Sequence, residues 1–205
     1  MLVSRHLYTI DFNKGTLIND KPIVIENIGT EDYITAAQLD SQGGLIIGTA
    51  RGNLLKVDMT TYKGSWNHKN SDYPINTIQL DKTNQIYYSV TNLTKSEIQV
   101  QKTDQDGKVI ANFKFDGKYP GETYDQLYRL PILIKDKDDN FYLWGCDVYS
   151  YLLRYFKFDK NGKVLSKTKE AVNFQPTGAF VDNENNIVVY GQEEGGGAKV
   201  ASSAL

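Results

Sequence analysis

Short apolar runs alternate with clusters of turn-forming residues along the whole chain, and the alternation itself repeats. Four aspartates, Asp40, Asp81, Asp136 and Asp182, mark the repeat. An apolar-rich run precedes each (34–39, 75–80, 130–135 and 176–181). A second run follows four or five residues later, as Leu45-Ile46-Ile47, Ile86-Tyr87-Tyr88, Phe141-Tyr142-Leu143 and Ile187-Val188-Val189. The residues between, such as Ser41-Gln42-Gly43-Gly44 and Asn183-Glu184-Asn185-Asn186, are turn formers. Each unit therefore reads as strand, tight turn, strand. Ile46, Tyr87, Leu143 and Val188 are taken as equivalent second-strand positions, and most of them are expected to be buried between blades.

A further hairpin follows each of the first three units: residues 54–58 with Gly64, 98–104 with Gly107, and 152–159 with Gly162. The same half-unit opens the chain as Leu7-Tyr8-Thr9-Ile10-Asp11 with Gly15. Equivalent aspartates recur at 41, 55 and 46 residues in the first series. Hairpin pairs at this period predict the blades of a propeller. The fold class expected is all-β, a β-propeller of four-stranded antiparallel blades with about four blade equivalents, as a closed ring or as an arc of a larger one. A single domain would cover 1–194: half-blade 1–27, blades 33–67, 74–115 and 127–170, and half-blade 175–191. Residues 195–205, opening on three glycines, read as a flexible tail with at most one weak strand. First strands rich in small residues (Thr35-Ala36-Ala37, Thr77, Thr177-Gly178-Ala179) suit strands converging on a central channel. The complementary half-blades predict that the strand around Leu7 to Ile10 pairs with that around Ile187 to Tyr190. An incomplete ring would instead point to a homo-oligomer.

Composition supports strands, with 14 Tyr and 8 Phe against 2 Met among 205 residues. The formal net charge is −2 and acids alternate with bases, so no basic stripe exists to track a phosphate backbone, and nucleic acid is not expected as a partner. No apolar run is long enough to span a bilayer as a helix, so no membrane insertion is expected. The N-terminus lacks the basic-then-apolar pattern of a signal peptide. With Cys146 alone, no intrachain disulfide is possible.

The run Ile-Thr-Ala-Ala-Gln-Leu-Asp-Ser-Gln-Gly-Gly-Leu-Ile-Ile-Gly-Thr-Ala-Arg-Gly-Asn-Leu-Leu-Lys-Val-Asp (34–58) resembles the propeller repeat of two-component regulators. Asp139-Asn140-Phe141-Tyr142, residues 158–165 and Pro120-Gly121-Glu122-Thr123-Tyr124 are similar to NHL-like and bacterial six-bladed propeller repeats. The resemblance implies a ligand-sensing or protein-binding module, of a kind that is often exported.

Candidate chemistry is sparse. Asp104-Gln105-Asp106-Gly107 and Asp159-Lys160-Asn161-Gly162 superficially resemble calcium loops, but lack the Glu that completes one and sit where hairpin turns are required. The acidic run 136–140 occupies a turn as well. His6 and His68 lie in no catalytic motif, and Cys146 carries no Cys-His signature. No phosphate loop or zinc spacing occurs, so no cofactor and no metal site is expected. The function expected is a non-catalytic ligand-binding or protein-interaction module. The alternative is a metal-dependent hydrolase, lactonase or lyase with carboxylates at the channel mouth.

Antiparallel order places the strand 1–2 and 3–4 turns on one face of such a molecule. The strand 2–3 loops and the inter-blade links fall on the other. The latter are longer and richer in aromatic and charged residues, and loops on a rigid scaffold are where binding groups concentrate. Asp32, Tyr33, Arg51, Asp72, Tyr73, Tyr124, Arg129, Asp147 and Tyr149 are the candidate ligand-binding residues. Tyr beside an acid suits a small polar ligand such as a carbohydrate, or a protein segment bearing basic residues.

Overall fold

The computed structural model describes residues 6–8, 10–11, 13–18, 23–92, 97–115, 132–146, 152–171, 174–192 and 198–203, and among them there is no helix. An N-terminal hairpin is split into β1 (His6–Leu7), β2 (Ile10–Asp11), β3 (Thr16–Leu17) and β4 (Ile23–Val24), with β1 paired to β4 and β2 to β3. Three four-stranded antiparallel sheets follow. The first blade is β5 (Ile34–Leu39), β6 (Gly44–Thr49), β7 (Asn53–Asp58) and β8 (Gly64–Lys69). The second is β9 (Ile75–Leu80), β10 (Ile86–Asn92), β11 (Glu97–Thr103) and β12 (Val109–Phe115). The third is β13 (Ile132–Lys135), β14 (Phe141–Cys146), β15 (Leu152–Phe158) and β16 (Val164–Ala171). A three-stranded sheet ends the chain: β17 (Gln175–Val181), β18 (Ile187–Gln192) and β19 (Ala198–Ser203).

Strands within each sheet pair in chain order, and the first strands lie side by side from sheet to sheet: β5 by β9, β9 by β13, β13 by β17. This is the radial arrangement of a propeller, with first strands innermost. The molecule is all-β, and its sheets are propeller blades.

Both faces of β6, β10 and β14 are buried, because a layer packs on either side of each. Ile46 looks forward into a cluster with Ile75, Ile86, Tyr88 and Val90 of the second blade. Tyr87 looks forward onto Leu133, Phe141 and Leu143 of the third, its ring stacked on Phe141 at 4.1 Å. Tyr142 and Trp144 look forward onto Phe174, Ile187 and Val189 of the last sheet. At the front of the arc, Leu45, Ile47, Leu55 and Val57 pack under Ile25, Ile28 and Leu7.

Two sequence expectations need correction. Tyr142, not Leu143, is the equivalent of Ile46 and Tyr87: it stands six residues after its turn aspartate, whereas Leu143 is buried on the opposite, backward-looking face. Ile46, Tyr87 and Leu143 are buried as expected, and Val188 is half-buried, since no described sheet follows it. The strand around Leu7 to Ile10 does not pair with that around Ile187 to Tyr190. Leu7 pairs with Ile23 and Ile10 with Leu17, while β18 lies between β17 and β19. The outward edge of β18 is thus taken by Ala198–Ser203, within the segment where at most one weak strand was expected.

The marker aspartates hold the turns. The Oδ1 of Asp40 accepts the amides of Gln42 and Gly44, at 2.8 and 2.7 Å. Asp81, Asp136 and Asp182 repeat the pattern with the amides two and four residues on. So do Asp104 and Asp159, which accounts for both calcium-like stretches as hairpin turns. The residue three after each aspartate has positive φ, supplied by Gly43, Gly107 and Gly162 or by Asn84, Asp139 and Asn185. Gly and Asn are the residues that tolerate that conformation most readily. The second oxygens differ. That of Asp40 meets Lys56 Nζ at 2.7 Å, and those of Asp81 and Asp136 accept the hydroxyls of Tyr87 and Tyr142. Burial, followed by the charge of Asp136, pushes the Tyr142 phenol well above its ordinary pKa, so it stays a donor.

Candidate functional site

The first strands are not regular. In β5, β9 and β17 the pairing slips at one position, leaving Thr35, Asn76 and Thr177 as bulged residues. Each lies five residues before its turn aspartate, so the bulge belongs to the repeat. A bulge re-aims a side chain, and bulges of this kind recur beside functional sites. All three line a central cavity of about 350 Å³ between the inner strands, together with Gln38, Gln79 and Tyr190. The bulged hydroxyls are satisfied locally. Thr35 donates to Gly48 O at 3.1 Å and to Ile75 O of the next blade at 2.6 Å. Thr177 donates to Tyr190 O, and Asn76 Nδ2 to Thr91 Oγ1.

Further along the channel, the blades are stitched by Thr77 and Gln79. Thr77 Oγ1 accepts Leu133 N at 2.8 Å, and Gln79 Nε2 donates to Leu133 O at 3.1 Å. These bonds tie the second blade to the third along the channel wall. Because each inner strand runs from the loop-rich face toward the turn face, its bulge lies near the loop-rich mouth.

Asp32 organises the first sector of that mouth. It is 3% exposed. Its Oδ1 accepts the amides of Tyr33 and Arg51, at 2.9 and 3.0 Å, and its Oδ2 accepts Asn53 Nδ2 at 2.9 Å. Burial works to raise its pKa, but hydrogen bonds from Thr49, Asn53 and the two amides outweigh this and hold it below the ordinary carboxylate value. The carboxylate thus ties the lead-in to β5 onto the β6–β7 loop.

That loop is held from beneath as well. Gly52 has φ +78°, and a side chain there would run into the carbonyl oxygens of Ser71 and Tyr73, while Gly52 O accepts the amides of Asn70 and Ser71. Lys69 Nζ donates to Arg51 O and Ser71 O and lies 3.5 Å from Asp72. On this braced platform the side chains of Tyr33, Arg51, Glu31 and Asp72 face solvent, Arg51 paired with Glu31 at 2.8 Å. A shallow hollow of about 290 Å³ is lined by Glu31, Asp32, Arg51 and Asn53 among others.

Of the nine expected site residues, the structure brings Asp32, Tyr33, Arg51, Asp72 and Tyr73 together in this one sector. Tyr124, Arg129, Asp147 and Tyr149 lie outside the described residues. Asp32 is a brace, its oxygens committed to the protein itself. His68 is also structural: its Nε2 lies 2.9 Å from Asp106 O, and its ring neighbours Trp66. Asn53, Asn76 and Gln79 were not picked out as site residues from sequence. For Asn76 the signal available was a polar residue at the fifth position before the turn aspartate, a place that Thr35 and Thr177 hold in their own units. Among the described residues, no three His, Cys, Asp or Glu side chains converge as a metal site.

No family model matches the sequence, and no curated protein does either. Solved structures do match the fold. Hydrazine synthase of Kuenenia stuttgartiensis superposes with a TM-score of 0.67 at 13% identity, over 93% of this chain and 51% of that one. The Cps50 (Swd1) β-propeller domain of Myceliophteria thermophila gives 0.59 at 12%, over 86% and 52%. A catalytically inactive virginiamycin B lyase from Staphylococcus aureus with quinupristin gives 0.57 at 13%, over 96% and 62%. The chain thus spans between about half and three-fifths of these propellers. Enzymes and a propeller domain named for no reaction stand side by side here, so the likeness carries the fold and not an activity.

Proposed function

We propose that this propeller is a non-catalytic binding module whose contact surface is the loop-rich mouth of its channel, and that its ligand is small and polar, carbohydrate-like in chemistry. The observation that carries this is the platform braced by Asp32. It fixes exposed Tyr33 and Arg51 beside a channel mouth ringed by the bulged residues Thr35, Asn76 and Thr177. An aromatic ring on a rigid loop offers stacking area at little entropic cost, and neutral hydroxyl and amide groups suit a ligand rich in hydroxyls. The aspartates of the opposite face are consumed in holding turns and offer no comparable surface. The blade grammar of residues 34–58, which resembles that of two-component-regulator propellers, is in keeping with a sensing role.

The test compares two paired variants on a glycan array, with basic peptides as a second arm. Tyr33→Ala with Tyr73→Ala should abolish retention of the glycans bound by the unmodified chain. Lys82→Ala with Lys160→Ala, on the turn face, should leave it intact. The reverse result would place the ligand on the wrong face. Capture by basic peptides alone would replace the carbohydrate reading with a protein partner. A stoichiometric divalent metal surviving dialysis would overturn the non-catalytic assignment.

A further inference from the structure

The described wall of the central cavity carries no formal charge: it holds no Asp, Glu, Lys, Arg or His, and its polar members are threonines, side-chain amides and Tyr190. Gln38 and Gln79 occupy the same place on neighbouring inner strands, two residues before the turn aspartate. Each is oriented through its nitrogen. Gln38 Nε2 donates to Leu39 O at 3.3 Å, and Gln79 Nε2 to Leu133 O at 3.1 Å. A main-chain carbonyl can only accept, so in each glutamine the nitrogen is the atom that faces it and Oε1 is left over. Nearer the loop-rich mouth Asn76 is set in the same manner, with Nδ2 on Thr91 Oγ1 at 3.0 Å and Oδ1 left over.

Among the described residues no donor reaches these three oxygens. Trp144 Nε1 is the one buried side-chain polar atom without a partner there, so the amide oxygens lie open to the cavity they line. The Thr35 hydroxyl is left with lone pairs alone, its hydrogen being shared between Gly48 O and Ile75 O. On the opposite side of the cavity the bare Cα of Gly178 lets the Tyr190 ring lie against its strand, with the hydroxyl over the glycine. That ring is 44% exposed, and no acceptor among the described residues takes its hydroxyl hydrogen. The wall thus offers several open acceptors, one phenolic donor, an aromatic face and aliphatic patches at Ala36, Ile78 and Ile132.

We infer, resting on the binding role proposed above and on the loop-rich mouth as the way in, that the cavity is itself a site for an uncharged, hydroxyl-bearing ring that donates hydrogen bonds to Gln38 and Gln79 Oε1. A carboxylate or phosphate brings only lone pairs to a wall that already presents lone pairs. An ammonium group would find acceptors but no counter-charge, and burying an unpaired charge costs far more than neutral hydrogen bonds return. A sugar hydroxyl both donates and accepts, so it can give its hydrogen to a glutamine oxygen while another accepts that of Tyr190. The C–H face of the ring matches the Tyr190 face and the aliphatic patches. The volume of about 350 Å³ stands at the lower end of small-molecule sites and suits a single small ligand.

The test follows the side-chain amide signals of Gln38 and Gln79 by NMR in a chain labelled on glutamine nitrogen, assigned with Gln38→Leu and Gln79→Leu. The probes are glucose, galactose and mannose, each beside its protonated 2-amino and its uronate counterpart. At least one neutral hexose should shift both amides and bind about tenfold or more tighter than either charged counterpart. Gln38→Leu should weaken that binding about three- to tenfold, the worth of one hydrogen bond. It should leave the fold intact, because the Gln38 nitrogen bonds its own neighbour's carbonyl and joins no two blades. Gln38→Glu should reverse the preference in favour of the amino sugar, a change that a structural role for Gln38 would not produce. Hexose binding that leaves both amides unshifted, or that ignores Gln38→Leu, overturns the inference. A uronate held as tightly as its hexose overturns it too, as does the binding of none of these sugars. Tyr33→Ala with Tyr73→Ala separates the channel from the mouth. Glutamine shifts that persist undiminished in that variant keep the channel site and remove the tyrosines from the contact surface. Hexose binding lost there, from a chain whose glutamine amides never moved, keeps the mouth and removes the channel site.

Discussion

Replacing Asp136 by Ala isolates what a marker aspartate contributes when it is buried. Its Oδ1 accepts the amides of Asp138 and Asn140, and its Oδ2 accepts Asn140 Nδ2 at 2.9 Å and the Tyr142 hydroxyl at 3.2 Å. Asp104 holds the same kind of turn through two amides only, and it is half-buried. Amides of an open turn recover water when their acceptor goes, so Asp104→Ala should cost about 1 kcal/mol, the net worth of an ordinary hydrogen bond. Asp136→Ala also strands the hydroxyl of a fully buried tyrosine, which adds roughly 1–3 kcal/mol, for a total of about 3 kcal/mol. Tyr142→Phe removes the stranded group. It should cost about 1 kcal/mol alone but regain roughly 1–3 kcal/mol on top of Asp136→Ala, a coupling of about 2–4 kcal/mol in the double-mutant cycle. Urea melts with a common m-value provide the measurement. If Asp136→Ala and Asp104→Ala fall within about 0.5 kcal/mol of each other, and the cycle shows no coupling, the buried tyrosine–carboxylate pair contributes nothing and the reasoning fails.

Ile46→Ala should cost about 2–5 kcal/mol in the same melts, as a fully buried residue between blades, while Val188→Ala, at the half-covered equivalent, should cost under about 1 kcal/mol. Asp32 is held below the ordinary carboxylate value when folded, so it stabilises above the unfolded pKa, and that share is lost as pH falls through the folded one. The stability difference between the unmodified chain and Asp32→Asn should therefore be flat near neutrality and shrink below about pH 4; a difference that persists there unchanged would refute the assignment.

The repeat was legible because its marker is chemical: an aspartate whose oxygen must meet two amides, followed at the third place by a residue that tolerates positive φ. Register within the second strands was less so. With a blade on either side, both faces of β10 and β14 are apolar, and period-2 alternation, the usual guide to facing, is silent. Leu143 was thereby confused with Tyr142, although the six-residue interval from aspartate to tyrosine, shared by Asp81–Tyr87 and Asp136–Tyr142, would have fixed the choice. The pairing of β18 with β19 was hidden for a different reason. Ladder bonds are made by the backbone, and Ala198, Ala201, Ser202 and Ser203 offer no hydrophobic signal. At the site, the exposed loop residues were visible as Tyr beside acid. The bracing role of Asp32 was not, since it depends on partners about twenty residues away.

Packing between immediate neighbours alone has a consequence for the order of assembly during synthesis. Hairpin bonds are local, and among the described residues the side-chain bonds that join blades reach 43 residues from Ser41 to Asn84, 56 from Thr77 to Leu133 and at most 73 from Tyr87 to Lys160. A blade leaving the ribosome needs only its successor to complete its interface, so structure can propagate along the growing chain without waiting for the C-terminus. Such quasi-one-dimensional coupling lets folding begin in any unit and spread to its neighbours. It also confines the damage of a weak blade to the two interfaces it shares.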